Sequence, residues 1–279
     1  MSNSPQIRAE LRKLIRKEGR LFLLLDYDGT LVPFAATPEQ ARPPGHLLEM
    51  LAGLCLCPGL RVAVVSGRGI DDLKRLLPVR GLYLAGVHGL VIRYPTGEEV
   101  WRGEEGGEAR AWVKKLTRKL EPLLEGKKGF LLENKDIALA LHYRLAFPHE
   151  GVEVLRRICR EVRPLLQEAG FVLRSGKKVL EFCPALANKG EGVKFLLSGW
   201  RGAFPVYLGD DDTDEDAFRA VAEIGLGVLI SRHPRESAAR YRLDDPGDVA
   251  LFLADIFQDR HQIALKRFNN REFSRPAGV

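Results

Sequence analysis

Residues Leu21 to Leu31 read LFLLLDYDGTL. Five consecutive apolar residues are too few for a buried helix and run into an acidic turn, so they predict a central strand covered on both faces. Its C-terminal end carries Asp26 and Asp28, one residue apart. In open α/β sheets chemistry sits beyond the carboxyl ends of the strands, and two carboxylates at such an edge suit a hard cation. Gly29 permits the backbone to turn, and Thr30 places a hydroxyl beside the acids. A DG turn capped by acids is the plain structural alternative for the same residues.

The pattern recurs along the first hundred residues. Arg61 to Gly69, RVAVVSGRG, again leads an apolar strand into small polar residues. Ser66 offers a hydroxyl, Gly67 a flexible backbone, and the following helix an N-terminus where a phosphate can rest. An ordinary βα turn looks the same, and Arg68 can face an anion or water. Leu82 to Ala85 predicts a third strand, and His88 falls near the active edge if that strand is parallel to the first two. Leu90 to Tyr94 and Glu99 to Trp101 flank a PTGE turn and predict antiparallel strands. Residues 4 to 18 carry Ile7, Leu11, Leu14 and Ile15 at helical spacing and predict a surface helix. Val32 to Pro44 reads as a proline-rich loop, and His46 to Cys57 as a helix.

From about Gly103 the texture changes. Glu108 to Leu124 predicts a charged amphipathic helix, followed by strands FLLEN and IALALHYRL, a second helix near Gly151 to Ala169, and strands FVLRSG and KVLEF. This order predicts an α+β insert whose antiparallel sheet is open on one face. Alternation in Ile137 to Leu145 puts Ile137, Leu139, Leu141, Tyr143 and Leu145 on one side. Ala138, Ala140, His142 and Arg144 share the other, a shallow polar floor. Glu133 and Lys135, two apart, can share a side, as can Lys177 and Glu181, four apart in strand register. An ordinary solvated sheet face has the same pattern.

Beyond Pro184 the parallel pattern resumes. Asn188 predicts the N-cap of a helix through Leu197. Lys189 lies in the first turn of that helix, where the dipole disfavours a cation and an anion would explain its presence. Phe204 to Leu208 predicts a strand ending in Gly209-Asp210-Asp211-Asp212-Thr213-Asp214-Glu215-Asp216. Acids suit a helix start, yet so many carboxylates repel one another unless a cation sits among them. A divalent metal shared with Asp26 and Asp28 supplies that charge, and the EF-hand pattern is not met. Ile224 to Ile230 predicts the last strand, Pro246 to about Lys266 a closing helix, and Phe268 to Val279 a polar, frayed tail.

Composition narrows the class of partner. The 279 residues, 45% hydrophobic and 29% charged, suit one large domain or two moderate ones. No apolar run approaches the roughly 20 residues that span a bilayer, and no signal-peptide core is present. A cytoplasmic monomer with no membrane partner is therefore expected. Cys55, Cys57, Cys159 and Cys183 fit neither a disulfide framework nor zinc spacing, and read as small core residues. A formal charge of +6 favours anionic partners, but the bases are spread among acids without a nucleic-acid-binding signature. A small anion is expected, and no nucleic acid.

Taken in order, Asp26-Tyr27-Asp28-Gly29-Thr30, Ser66-Gly67-Arg68, Lys189, and Gly209-Asp210-Asp211 with Asp214 resemble the haloacid dehalogenase (HAD) superfamily of phosphotransferases. Within it, DYDGTL, VSGR, GVHG, ENKDIALALHYR, GKKVLEF followed by NKG, and GDDDTDE look like the trehalose-6-phosphate phosphatases, over about Leu21 to Leu229. Val91 departs from that family, which often has an acidic residue after the HG. The resemblance implies an α/β fold, a HAD-like Rossmannoid core with a parallel sheet plus an inserted α+β cap domain. Residues 1–103 would form the first part of the core with its N-terminal helix, 104–184 the cap, 185–260 the second part of the core, and 261–279 a C-terminal tail.

The resemblance also implies a chemistry: a magnesium-dependent phosphatase acting on trehalose 6-phosphate. Asp26 would attack phosphorus to form an aspartyl-phosphate, while Asp28 would act first as acid and then as base. Mg2+ would be held by the Asp26 carboxylate, the Asp28 carbonyl and Asp210, with Lys189 adding positive charge. Thr30 and Ser66 would hold phosphoryl oxygens, and Asp211 and Asp214 would orient waters or Lys189. Gly67, Arg68 and His88 from the core, and Glu133, Lys135, His142, Arg144, Lys177 and Glu181 from the cap, would bind the sugar phosphate. A related phosphatase acting on sucrose phosphate or a glycosyl-phosphoglycerate, or a phosphomutase of the same fold, would share the core residues, and a non-catalytic sugar-phosphate sensor would bind without releasing phosphate. A receiver-type signalling module lacks the position of Asp28 and needs no cap.

Overall fold

The computed structural model describes residues 4–103 and 106–272, with side chains through residue 263 except at 167–168. The first part of the chain forms α1 (Ser4–Ile15), β1 (Leu21–Leu25), α2 (Gly45–Leu56), β2 (Leu60–Val65), α3 (Ile70–Leu76), β3 (Tyr83–Gly86), β4 (Val91–Arg93) and β5 (Glu99–Trp101). A second unit follows with α4 (Gly107–Leu124), β6 (Leu131–Asn134), β7 (Leu139–His142), α5 (Pro148–Glu168), β8 (Phe171–Gly176) and β9 (Val179–Pro184). The chain then adds α6 (Lys189–Ser198), β10 (Phe204–Gly209), α7 (Glu215–Val221), β11 (Leu226–Ile230), β12 (Tyr241–Leu243) and α8 (Pro246–Glu272).

All five residues of β1 are buried, which is what a strand covered on both faces requires. The large sheet runs β12-β11-β10-β1-β2-β3-β4-β5, parallel from β12 to β3 and antiparallel at β4 and β5. Alternation along β1 divides its residues between two cores. Leu21, Leu23 and Leu25 pack with α1, α2 and α8, while Phe22 and Leu24 pack with α6 and α7. Because β1 lies between β2 and β10, the chain crosses over in opposite directions from its end. That is the switch point where open α/β sheets leave a crevice.

The small sheet, β6-β7-β9-β8, is antiparallel throughout. Leu139, Leu141, Leu180 and Phe182 bury one face against Val113, Leu116 and Leu120 of α4 and Val154, Ile158 and Val162 of α5. The opposite face presents polar side chains to the carboxyl edge of the large sheet.

Several boundaries differ from expectation. Tyr241–Leu243 is a further strand after Ile230, too short for its periodicity to show, and it pairs on the edge of β11. Helix α8 continues to Glu272, so a tail boundary at residue 261 falls inside it; residues 273–279 lie outside the described range. Helix α1 ends at Ile15. Strand β7 covers only Leu139–His142, because Asp136 takes a left-handed backbone (φ 71°) before it and Arg144 and Leu145 turn after it. Leu145 is consequently exposed. Lys177 sits in the β8–β9 hairpin turn, so it and Glu181 do not share a strand. Among the described residues no helix is long and apolar enough to cross a membrane, and the four cysteines are free.

Candidate active site

Three strand ends and the start of one helix converge beneath the polar face of the small sheet. β1 delivers Asp26, β2 Ser66, β10 Asp210, and the first turn of α6 delivers Lys189. Asn188 caps α6 by accepting from the Glu191 amide at 3.0 Å, which places Lys189 at the helix start pointing at the end of β1. The Lys189 ammonium donates to Asp26 Oδ1 at 2.6 Å and to Asp214 Oδ1 at 2.7 Å, with all three groups buried. Burial pushes the Lys189 ammonium down, and Asp214 and Asp26 more than reverse it, so it stays charged. Burial pushes the Asp26 carboxyl well above the usual carboxylate range, against the pull of Lys189. Asp214 is pushed up by burial too, but Lys189, the Tyr207 hydroxyl and a backbone amide hold it below that range.

Asp214 is the hub of the acidic segment. Its Oδ2 accepts from the amides of Asp210 and Asp211, both at 2.9 Å, and the Tyr207 hydroxyl donates to Oδ1 at 2.6 Å. Gly209 makes this possible, since a Cβ there would stand 2.3 Å from Asp214 Cγ. Asp211 caps the short turn Asp212–Asp214. Asp210 meets the Lys177 ammonium through Oδ2, whereas its Oδ1 is buried without a partner.

In the second motif it is Arg68 whose partners differ from those expected. Ser66 Oγ lines the cleft and accepts from the Arg68 amide at 3.2 Å. The Arg68 guanidinium is buried and donates to both oxygens of Asp28 at 2.7 and 2.8 Å, to Asp72 at 2.6 Å and to the Pro38 carbonyl at 3.0 Å. Four of its N–H groups are thereby committed, and Arg68 orients Asp28. Val87 and His88 both adopt left-handed backbone, φ 47° and 54°, an uncommon cost for a β-branched residue. Bonds from the Val87 amide to the Arg68 carbonyl (2.8 Å) and from the His88 amide to the Ser66 carbonyl (2.9 Å) hold that loop.

From the small sheet, Glu181 accepts from Lys135 at 3.0 Å and lies 2.7 Å from His88 Nε2. Lys135 also donates to the Gly67 carbonyl at 2.9 Å, so the two sheets are joined through buried polar groups. Burial raises Glu181, but Lys135 and His88 hold its carboxyl far below the ordinary range. His142 Nε2 lies 2.7 Å from Glu133 Oε2, and Arg144 donates to the Lys177 carbonyl at 2.9 Å. Among the described residues no carboxylate pairs with Arg144.

One cleft is lined by Asp26, Asp28, Ser66, Gly67, Arg68, His88, Glu133, Lys135, His142, Arg144, Lys177, Glu181, Lys189 and Asp210. Thr30 is the exception: it is fully buried, its hydroxyl has no partner, and it does not reach the cleft. Gly29, with φ 88°, turns the chain inward there, and a Cβ on it would strike Asp210 and Phe34 at 2.5 Å.

Comparison with known proteins settles the family. A family model described as trehalose-phosphatase matches residues 24–247. The chain belongs to the trehalose-phosphatase family. Trehalose 6-phosphate phosphatase RA3 of Zea mays is 32% identical over 278 residues, covering 92% of this chain and 75% of that protein. Trehalose-phosphate phosphatase B of Arabidopsis thaliana is 32% identical over 257 residues, covering 87% and 67%. The C-terminal domain of a trehalose-6-phosphate phosphatase from C. albicans superposes with a TM-score of 0.79 at 26% identity, covering 92% of this chain and 97% of that one. A haloacid dehalogenase-like hydrolase from Bacteroides thetaiotaomicron shares the fold at a TM-score of 0.59 and 17% identity, covering 85% and 98%. The chain is thus a phosphoric monoester hydrolase of HAD-like fold.

The cleft of this trehalose-phosphatase family member and its surround also contain residues that sequence reasoning passed over. Asp72 shares Arg68 with Asp28, Tyr207 anchors Asp214, and Phe34, Arg174 and Ser175 line the cleft. Asp72 stands four residues after Arg68, a spacing that could have marked that pair, whereas Tyr207 lies among the apolar residues of β10 and nothing local marks Asp214 as its partner. Val91, the family departure, is buried in β4 away from the cleft. The family implies a metal, and the residues fit one. Asp26, Asp210 and Asp214 each offer a carboxylate oxygen within 4.8 Å of the others, an all-oxygen set suited to a hard cation. Asp214 is occupied by Lys189, Tyr207 and amides, so the unpartnered Oδ1 of Asp210 is the open donor.

Proposed function

We propose that the chain hydrolyses trehalose 6-phosphate to trehalose and phosphate with magnesium, through an aspartyl-phosphate on Asp26. The observation that carries this reading is the buried Asp26–Lys189–Asp214 cluster beside Asp210, facing a polar floor rich in hydrogen-bonding side chains. Asp26 attacks phosphorus, the bond to the sugar oxygen breaks, and Asp28 delivers a proton to that oxygen. Asp28 then takes a proton from the water that attacks the aspartyl-phosphate, returning Asp26 and releasing phosphate. A magnesium ion held by Asp26, the Asp28 carbonyl and Asp210 would supply positive charge against the phosphoryl oxygens. Lys189 shields the approach of an anionic ester to an anionic nucleophile, and Ser66 offers a hydroxyl to a phosphoryl oxygen. Arg144, uncompensated and facing the cleft, suits a substrate anion, while Glu133, Lys135, His142 and Glu181 suit sugar hydroxyls.

Phosphate release from a panel of sugar phosphates, with magnesium and with a chelator, tests the reading. Trehalose 6-phosphate is expected to lead the panel and the chelator to abolish release; a flat panel overturns the substrate assignment. Arg144→Ala is expected to lower the ratio of kcat/KM on trehalose 6-phosphate to that on p-nitrophenyl phosphate by about ten-fold, since a hydrogen bond to a charged group is lost. An unchanged ratio means that this face does not read the sugar phosphate.

The metal site predicts a pH dependence. Burial pushes the Asp210 carboxyl up to about 7, against the pull of Lys177 and with the help of Asp214. Ionising Asp210 in metal-free protein therefore costs stability, and that cost grows as pH rises from the ordinary 3.8 to about 7. Magnesium and the proton compete for this carboxylate, so the apparent affinity should be roughly thirty-fold weaker at pH 5.5 than at pH 8. Titration calorimetry without substrate checks this; equal affinity at both pH values overturns the predicted competition between proton and metal at Asp210.

A further inference from the structure

The aromatic side chain of Phe34 stands beside the reacting groups without an assigned task. It is 41% exposed, lines the cleft, and follows the Asp26–Thr30 turn in the chain. Its ring edge lies against Gly29, where even a methyl group would be 2.5 Å from Cε2. The Lys177 ammonium is 4.8 Å from its ring centroid and the Arg144 guanidinium 5.4 Å, both within the range of cation–aromatic attraction. Both cations come from the small-sheet unit, whereas the ring belongs to the large-sheet unit.

We propose that Phe34 is a positioning residue of the core, whose ring seats Arg144 and Lys177 of the cap over the Asp26 turn and so sets discrimination for a sugar phosphate. Three observations support this. Lys177 already reaches Asp210, so the ring and the carboxylate together fix one ammonium. Arg144 donates to the Lys177 carbonyl, which leaves the aromatic ring as the second support of a rotamer-rich side chain. Among the described residues no acid neutralises Arg144, and an aromatic face steadies a cation without cancelling its charge towards an incoming anion. An aliphatic side chain of the same bulk would fill the space and supply no such attraction.

The inference rests on the proposed substrate, and the experiment separates the two. Steady-state kinetics on trehalose 6-phosphate and p-nitrophenyl phosphate compare wild type, Phe34→Leu, Phe34→Tyr, and Phe34→Leu within an Arg144→Ala/Lys177→Met background. Phe34→Leu is expected to lower the ratio of the two kcat/KM values about ten-fold, and Phe34→Tyr to restore it to within about two-fold, because the ring face is kept. In the substituted background Phe34→Leu is expected to add no further loss, because its partners are gone. Additive losses there, a tyrosine as damaging as leucine, or a leucine as good as phenylalanine would each overturn the proposal. Wild-type enzyme that does not prefer trehalose 6-phosphate overturns the functional reading instead. The same cycle read in Tm then decides the positioning role, with non-additivity supporting it and additivity refuting it.

Discussion

Asp26→Asn is expected to remove phosphatase activity, by about 10⁴-fold or more in kcat/KM, while leaving the fold intact. An amide has no anionic oxygen to attack phosphorus, and losing a nucleophile removes the covalent route as a whole. The fold survives for a physical reason. Burial already disfavours the ionised form of Asp26, and asparagine keeps a carbonyl oxygen that can accept from the Lys189 ammonium. Circular dichroism and Tm should therefore stay near wild type while phosphate release disappears. Turnover near the wild-type rate would refute Asp26 as nucleophile, and collapse of the fold would make its contribution structural.

Lys189→Ala is expected to damage stability as well as catalysis. One ammonium serves two buried carboxylates, at 2.6 and 2.7 Å, so its removal strips both of their charged partner out of water, and Asp26, already raised by burial, must take a proton. Breaking a buried pair by deleting one partner costs about 3–5 kcal/mol. For a chain of this size that lowers Tm by roughly 10 °C. The sign with pH follows from the shifts. Lys189 is raised above its ordinary 10.5, so its contribution in wild type is present throughout the acidic and neutral range. Asp214 is held below 3.8, so its share of stability is present at neutral pH and fades as acid protonates it. The gap between variant and wild type should be widest near neutrality and narrow on acidification, and magnesium should recover part of it. A variant as stable as wild type at pH 7 would mean that the cluster is open to water.

Much of the core was legible because its signals are local. LFLLL could bury both faces only as an inner strand, and the acids that end it had to emerge at the carboxyl edge. The N-cap at Asn188 placed Lys189 at a helix start for the same kind of reason. Short elements were less legible. β12 has three residues and takes its stability from pairing with β11, and β7 loses its outer residues to a left-handed turn and a tight loop. Periodicity read through Leu145 could not register either, because alternation persists in the sequence after the backbone has left the sheet.

Residue types and order along the chain determined that this protein is a parallel α/β fold with an inserted antiparallel unit, and that carboxylates, a hydroxyl and an ammonium would gather at strand ends. Only tertiary structure decided which partners those groups keep. Arg68 is spent on Asp28 and Asp72, Thr30 is buried away from the cleft, Asp214 carries Lys189 and Tyr207, and Phe34 meets two cations from turns of the small-sheet unit. The reason is distance along the chain. Strand periodicity and caps act over a few residues, whereas Arg68 meets Asp28 across 40 positions and Lys189 meets Asp26 across 163, pairings that exist only once the strands have packed.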